Sequence, residues 1–301
     1  VGPSATFKAE VVAGEVEKLR LFIDGKPVGY MQRGSKYFYL TVNLSNFGEV
    51  LHYWNVSAYN ASEERINATL NPRLGFFYVD LSPPYIKKVE PANNTALNVA
   101  NVTFKTVVFD RGHKPSGVGK VRIWIDNALY EPINESGTYI TSAILEEGLH
   151  EWAVETEDRV GNRISYAFRL IVDLSPPEVV LISPVNETVP SGQNVTFLVR
   201  ATDEWGVSRV ELYIDGVRVC LMEPSGEYYV ASVAVSPGKH VWKVLAFDVA
   251  GNSAFSENGY FYMPPQIVRS ITPDPLMILP AVALFITTVA LLVYVKVRRP
   301  E

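Results

Sequence analysis

Apolar and polar residues alternate along three stretches that end alike: Leu19-Arg20-Leu21-Phe22-Ile23-Asp24-Gly25, Val121-Arg122-Ile123-Trp124-Ile125-Asp126-Asn127 and Val210-Glu211-Leu212-Tyr213-Ile214-Asp215-Gly216. A period of two is that of a strand with one face on a core. Asp-Gly and Asp-Asn accept positive φ, so each stretch predicts a strand entering a tight hairpin. A second alternating pattern reads His52-Tyr53-Trp54-Asn55-Val56-Ser57-Ala58, His150-Glu151-Trp152-Ala153-Val154-Glu155-Thr156 and His240-Val241-Trp242-Lys243-Val244-Leu245-Ala246. Trp, Val and Ala or Thr share one face, which places a tryptophan in each core. Upstream of these lie strand-like openings at Ala5-Thr6-Phe7, Asn101-Val102-Thr103-Phe104 and Asn194-Val195-Thr196-Phe197. Two copies continue into Asp158-Arg159-Val160-Gly161-Asn162 and Asp248-Val249-Ala250-Gly251-Asn252. There an Asp bonds amides of its own turn, and Gly and Asn supply left-handed conformations. The first copy has Asn60-Ala61-Ser62 instead.

The joints carry the period. Val79-Asp80-Leu81-Ser82-Pro83-Pro84 recurs word for word at Val172-Asp173-Leu174-Ser175-Pro176-Pro177, with a worn copy at Tyr262-Met263-Pro264-Pro265. A spacing of about 90 residues is that of a domain rather than a short solenoid unit. Asp-x-x-Gly-Asn turns and Ser-Pro-Pro joints resemble the immunoglobulin-like repeats of bacterial and archaeal surface proteins. The resemblance spans roughly residues 1–265 and implies stalks, spacers and adhesive modules without an activity of their own. The expected fold is all-β: three tandem immunoglobulin-like β-sandwiches (1–82, 83–175 and 176–265), followed by a C-terminal transmembrane helix. The first sandwich has few residues before its Thr-Phe strand, so its opening strand is expected to be short or missing. That favours a chain cut from something longer, or a partner completing the edge. Paired prolines fix φ and remove amide donors, so the joints are expected to be stiff.

Residues 276–295 are apolar apart from Thr287 and Thr288. As a helix they would span about 30 Å, the thickness of a bilayer core. Lys296, Arg298 and Arg299 follow, whereas Asp274 precedes. The positive-inside rule then places the 296–301 tail in the cytoplasm and the sandwiches outside, with 266–275 as a juxtamembrane tether. Membrane lipid is thus an expected partner, and the cell membrane the expected location.

A net charge of −5 and the lack of a Lys/Arg stripe exclude nucleic acid as a partner. Cys220 is the single cysteine, which excludes an intrachain disulfide framework. No secretory signal opens the chain at Val1, so it is expected to start after a cleaved signal or within a longer polypeptide. Asn-x-Ser/Thr occurs at Asn43, Asn55, Asn60, Asn67, Asn93, Asn101, Asn134, Asn186 and Asn194. Chance would supply roughly two, so a glycosylated exterior is expected. Together with the missing disulfides, this suggests an archaeal cell-surface glycoprotein.

His52, His150 and His240 occupy one repeated position and read as scaffold. His113 lies in an insertion, 112–119, found only in the second repeat, with no second His, Cys or carboxylate cluster accompanying it in sequence. No nucleophile elbow or oxyanion loop is present, so no catalytic residue and no enzyme are expected. No cofactor is expected either, except for calcium: Asp80 and Asp173 sit at the joints, and Asp110 and Asp203 open equivalent loops. Turn capping explains each of these singly. Candidates for a protein or glycan partner are Trp205, in a loop without counterpart, and Tyr37 and Tyr39, flanking Phe38 on one strand. The preferred reading is a non-enzymatic, membrane-anchored extracellular stalk or adhesion glycoprotein. The alternatives are the anchoring region of a larger exported hydrolase or solute-binding protein, and an accessory subunit of a membrane complex.

Overall fold

The computed structural model describes residues 1–69, 74–185 and 194–265. The expected tether, transmembrane helix and basic tail, and the sequon at Asn186, lie outside the described residues. Among the described residues every regular element is a strand, and no helix is long and apolar enough to cross a membrane.

The strands form six sheets, two from each third of the chain. Ser4 to Tyr78 yields sheets of three and five strands, and Tyr85 to Val172 and Glu178 to Met263 each yield four and five. This is the all-β arrangement expected of immunoglobulin-like repeats. The Asp-Gly and Asp-Asn pairs turn the hairpins as their chemistry requires, with φ of 49° and 74° at Asp24 and Gly25, and 46° and 66° at Asp126 and Asn127. Asp215 and Gly216 do the same at 51° and 82°. Two consecutive left-handed residues match the twist of the flanking strands.

By compactness the chain divides into two units. The first comprises Val1–Val179, Ala201–Val210 and Leu245–Ser256. It holds two cores. In one, Phe7 meets Trp54 edge-on at 5.2 Å, with Leu21, Ile23, Leu44 and Val79 buried around them. In the other, Phe104 meets Trp152 at 5.0 Å among Ile123, Val154, Leu170 and Val172. Each fully buried aliphatic side chain contributes about 1.5–3 kcal/mol. Strand Gly148–Asp158 pairs with Val118–Ile125 on one side and Arg163–Val172 on the other. Tyr85–Glu90 pairs with Asn101–Phe109 in the facing sheet, and Thr95–Leu97 then runs parallel to Leu170–Val172. The segment that opens this repeat therefore serves both sheets. The three-stranded sheet has no counterpart of Tyr85–Glu90: Ser4–Ala9 lies at its edge, paired with Phe38–Asn43.

The second unit comprises Val180–Arg200, Glu211–Val244 and Glu257–Glu301. Phe197 meets Trp242 at 4.9 Å and Phe261 at 5.7 Å, with Val195, Val199, Leu212 and Met263 buried. The Thr-Phe and His-x-Trp motifs thus meet inside all three cores.

The tryptophans differ in what faces them across the strand pair. Trp54 lies opposite Gly75 and Trp242 opposite Gly259. A Cβ at either glycine would sit 2.2 Å from the indole Nε1, so the ring occupies the missing side chain's space. Trp152 instead lies opposite Phe168, with the rings 4.8 Å apart.

Candidate metal centre

The repeated histidines are braces. His52 Nδ1 lies 2.6 Å from Asp24 Oδ2, and its Nε2 lies 2.8 Å from the Gly48 carbonyl. His150 is held alike by Asp126 and the Glu146 carbonyl, and His240 by Asp215 and the Ser236 carbonyl. The other oxygen of each Asp accepts the amide of the residue after the His: Tyr53, Glu151 and Val241. The hairpin Asp therefore turns the chain and ties that turn to the neighbouring strand. With an acceptor at both ring nitrogens, the doubly protonated imidazolium satisfies both bonds. Burial lowers the pKa of His52, but the Gly48 carbonyl and the Asp24 carboxylate outweigh it and raise it above 6.5. At His240 burial is likewise outweighed, by Asp215 and then by the Ser236 carbonyl.

The joints bring carboxylates together. Asp80, Asp110 and Asp158 form one triad and Asp173, Asp203 and Asp248 another, each offering oxygens within 4.8 Å of one another. All six residues belong to the first compact unit. Four of them were expected as candidates. Asp158 and Asp248, which complete the triads, were assigned only to capping their Asp-x-x-Gly-Asn turns. They do cap them: Asp158 Oδ1 accepts the amides of Val160 and Asn162, and Asp248 Oδ1 those of Gly251 and Asn252. The Asn that ends each turn also clamps the joint. Asn162 Nδ2 donates to the Asp80 carbonyl at 2.9 Å, and Asn252 Nδ2 to the Asp173 carbonyl at 2.8 Å. Asn60, in the repeat without this turn motif, bonds Glu64 instead.

The insertion 112–119 folds onto the Asp80 triad. Ser116 N donates to Asp80 Oδ2 at 2.7 Å, and Gly117 N to Asp110 Oδ2 at 2.5 Å. Asp110 Oδ1 accepts from Arg111 N, and Asp158 Oδ2 from Asn162 Nδ2. Glu49, hydrogen-bonded to Ser82 and to the backbones of Leu81, Ser82 and His113, is pulled below the usual carboxylate range despite burial. Its Oε1 accepts the Leu81 amide at 2.9 Å. His113 thus contributes its backbone to the joint.

The Asp173 triad lacks such a loop. Asp203 Oδ1 accepts the amides of Trp205 and Gly206, and Asp173 Oδ1 that of Ser175 at 3.2 Å. Asp173 and Asp248 are each 1% exposed, and the Oδ2 atom of each is enclosed without a hydrogen-bond partner. Burial raises the pKa of Asp173, with the charge of Asp203 next and those of Asp248 and Glu147 adding, against the opposing Ser175 amide. Asp110 is also raised by burial, with the amides of Gly117 and Arg111 opposing and Asp80 and Asp158 adding. Beside Asp173 opens a cleft of about 390 Å³, lined by Glu147, Asp173, Glu178, Asp203 and Glu204 with no Lys or Arg. An all-carboxylate set without His or Cys suits a hard cation rather than zinc.

The other candidates are dispersed. Tyr37 and Tyr39 are 36% and 39% exposed, on the opposite face from buried Phe38, with Lys8 and Lys36 over the Tyr37 ring. Trp205 is half-buried, and its Nε1 is enclosed without a hydrogen-bond partner. Asn43, Asn67, Asn93, Asn101, Asn134 and Asn194 are exposed, and Asn60 is half-buried. Asn55 is half-buried in mid-strand, and the hydroxyl residue of its sequon, Ser57, is buried.

A bacterial Ig domain family matches residues 177–244. Similar solved structures include the fibronectin(III)-like modules of Clostridium thermocellum CbhA, at 18% identity over 60% of this chain and 94% of that one, with a TM-score of 0.43. A tetra-tandem repeat from the extending region of a large adhesion protein is 17% identical over 87% of this chain and 70% of that one, with a TM-score of 0.35. No curated protein matches the chain. Immunoglobulin-like repeats of this kind are typical of extracellular surface proteins, and the matched family indicates no enzyme.

Proposed function

We propose that the chain is a non-enzymatic, membrane-anchored cell-surface glycoprotein whose immunoglobulin-like repeats form a stalk that projects or binds partners outside the cell. The observation that carries this reading is how the chemically versatile residues are used. Each histidine of the repeated motif is locked between an Asp and a backbone carbonyl, and the same brace appears three times. A catalytic histidine needs one ring nitrogen available to the substrate, whereas here both are engaged within the fold. The joints are likewise clamped by Asn162 and Asn252. Such investment serves a scaffold.

Anchoring rests on the apolar 276–295 stretch with its basic follower, and the glycan coat on the sequons, six of which have an exposed Asn among the described residues. Partner contact is assigned to Tyr37 and Tyr39, with Trp205 the weaker candidate because of its enclosure. The test is the intact mass of the native protein extracted from its membrane, before and after chemical deglycosylation. The expected result is a shift on deglycosylation, with Asn55 unoccupied. Recovery of unmodified chain from the soluble fraction would overturn the reading.

A further inference from the structure

The two carboxylate triads hold equivalent places in successive repeats, yet their oxygens are used differently. Around Asp80, backbone amides supplied by the insertion reach Asp80 and Asp110, and Asn162 occupies Asp158 Oδ2. No carboxylate oxygen of that triad is enclosed without a partner; the enclosed unpartnered atom supplied by the insertion is the neutral hydroxyl of Ser116. The loop at the other triad is the short Asp203-Glu204-Trp205-Gly206, whose Trp205 and Gly206 amides both go to Asp203 Oδ1. Asp173 Oδ2 and Asp248 Oδ2 remain enclosed and unpartnered.

We infer that Asp173, Asp203 and Asp248 form a calcium site and that Asp80, Asp110 and Asp158 do not, the amides of loop 112–119 taking the place of the ion. A buried carboxylate oxygen with neither a donor nor a counter-charge is costly for a fold to hold, and here two, Asp173 Oδ2 and Asp248 Oδ2, lie in one cluster. The adjoining cleft adds Glu147, Glu178 and Glu204 and no basic residue. The missing charge is therefore a cation brought from solution. Carboxylate oxygens within 4.8 Å of one another fit around an ion whose oxygen ligands stand at about 2.4 Å, since opposite ligands are then about 4.8 Å apart. Calcium accepts irregular oxygen shells, whereas magnesium demands a smaller, near-octahedral one. The open cleft leaves room for Glu147 and solvent to complete the shell. Affinities of about 10⁻⁴–10⁻³ M are usual for extracellular calcium modules, and this site is expected in that range.

The test uses the full chain in detergent micelles, stripped with chelator and titrated with calcium in a calorimeter. One ion per chain is expected. Asp203→Asn, at a half-buried position, should weaken binding at least tenfold, and Asp248→Asn should abolish it. Asp110→Asn should leave affinity and stoichiometry unchanged. Terbium in place of calcium should luminesce on excitation of Trp205, whose amide bonds Asp203, and Trp205→Phe should cut that signal. The inference is overturned by no saturable uptake, by two ions per chain, or by equal weakening in Asp110→Asn and Asp203→Asn. Should Asp248→Asn fail to fold, the comparison of Asp203→Asn with Asp110→Asn decides alone.

Discussion

A histidine with an acceptor at each ring nitrogen is a basic group with a reason to keep its proton, and this has a measurable sign. His52 and His240 are raised above their ordinary 6.5. Their contribution to stability is therefore complete below pH 6.5 and is lost as the pH rises through the folded-state values. Asp24 and Asp215 are lowered from 3.8; at Asp24 burial opposes the His52 and Tyr53 bonds, and at Asp215 the Val241 amide leads. Their contribution is present above pH 3.8 and is lost as the pH falls through the lowered values. Urea midpoints should thus be highest between about pH 4 and 6.5. His240→Ala should cost about 1–3 kcal/mol at pH 6, since it removes a buried ring together with its bonds to Asp215 and the Ser236 carbonyl. Gly259 tests a different force. Ala there would place a methyl 2.2 Å from Trp242 Nε1, and the forced shift should cost about 1–3 kcal/mol, read from tryptophan fluorescence during denaturation.

Strands, hairpins and repeats were legible in the sequence because each is a local pattern. Leu19 to Gly25 states its alternation and its turn within seven residues. The brace was not legible, because Asp24 and His52 are 28 positions apart and meet only when Lys18–Ile23 pairs in register with the non-adjacent strand Leu51–Tyr59. The histidines were rightly read as scaffold, but without their partners. Asp158 and Asp248 show a second limit. Their turn-capping role is written in Asp-x-x-Gly-Asn, and it accounts for Oδ1; where Oδ2 points depends on a joint some 80 residues away in sequence. A signal was nonetheless available: the turn motif occurs in the two repeats that follow a Ser-Pro-Pro joint. The insertion 112–119 invited attention for His113, whereas its backbone amides are what matter. Deleting 114–116 should leave Asp80 without the Ser116 amide, at a cost of about 1–3 kcal/mol. Limited proteolysis should then cut faster around Leu81-Ser82.

Tandem repeats of similar sequence carry a hazard that single domains escape: a strand of one copy can complete the core of another during folding. The three tryptophans bear on this. A strand built around Phe168 cannot close over Trp242, whose ring fills the space above Gly259, and a strand built around Gly259 would leave a void beside Trp152. Copies that share a backbone plan are thereby made mutually exclusive at their last strand. Glycine, phenylalanine and glycine at residues 75, 168 and 259 thus give successive repeats closing strands of unlike shape opposite their tryptophans.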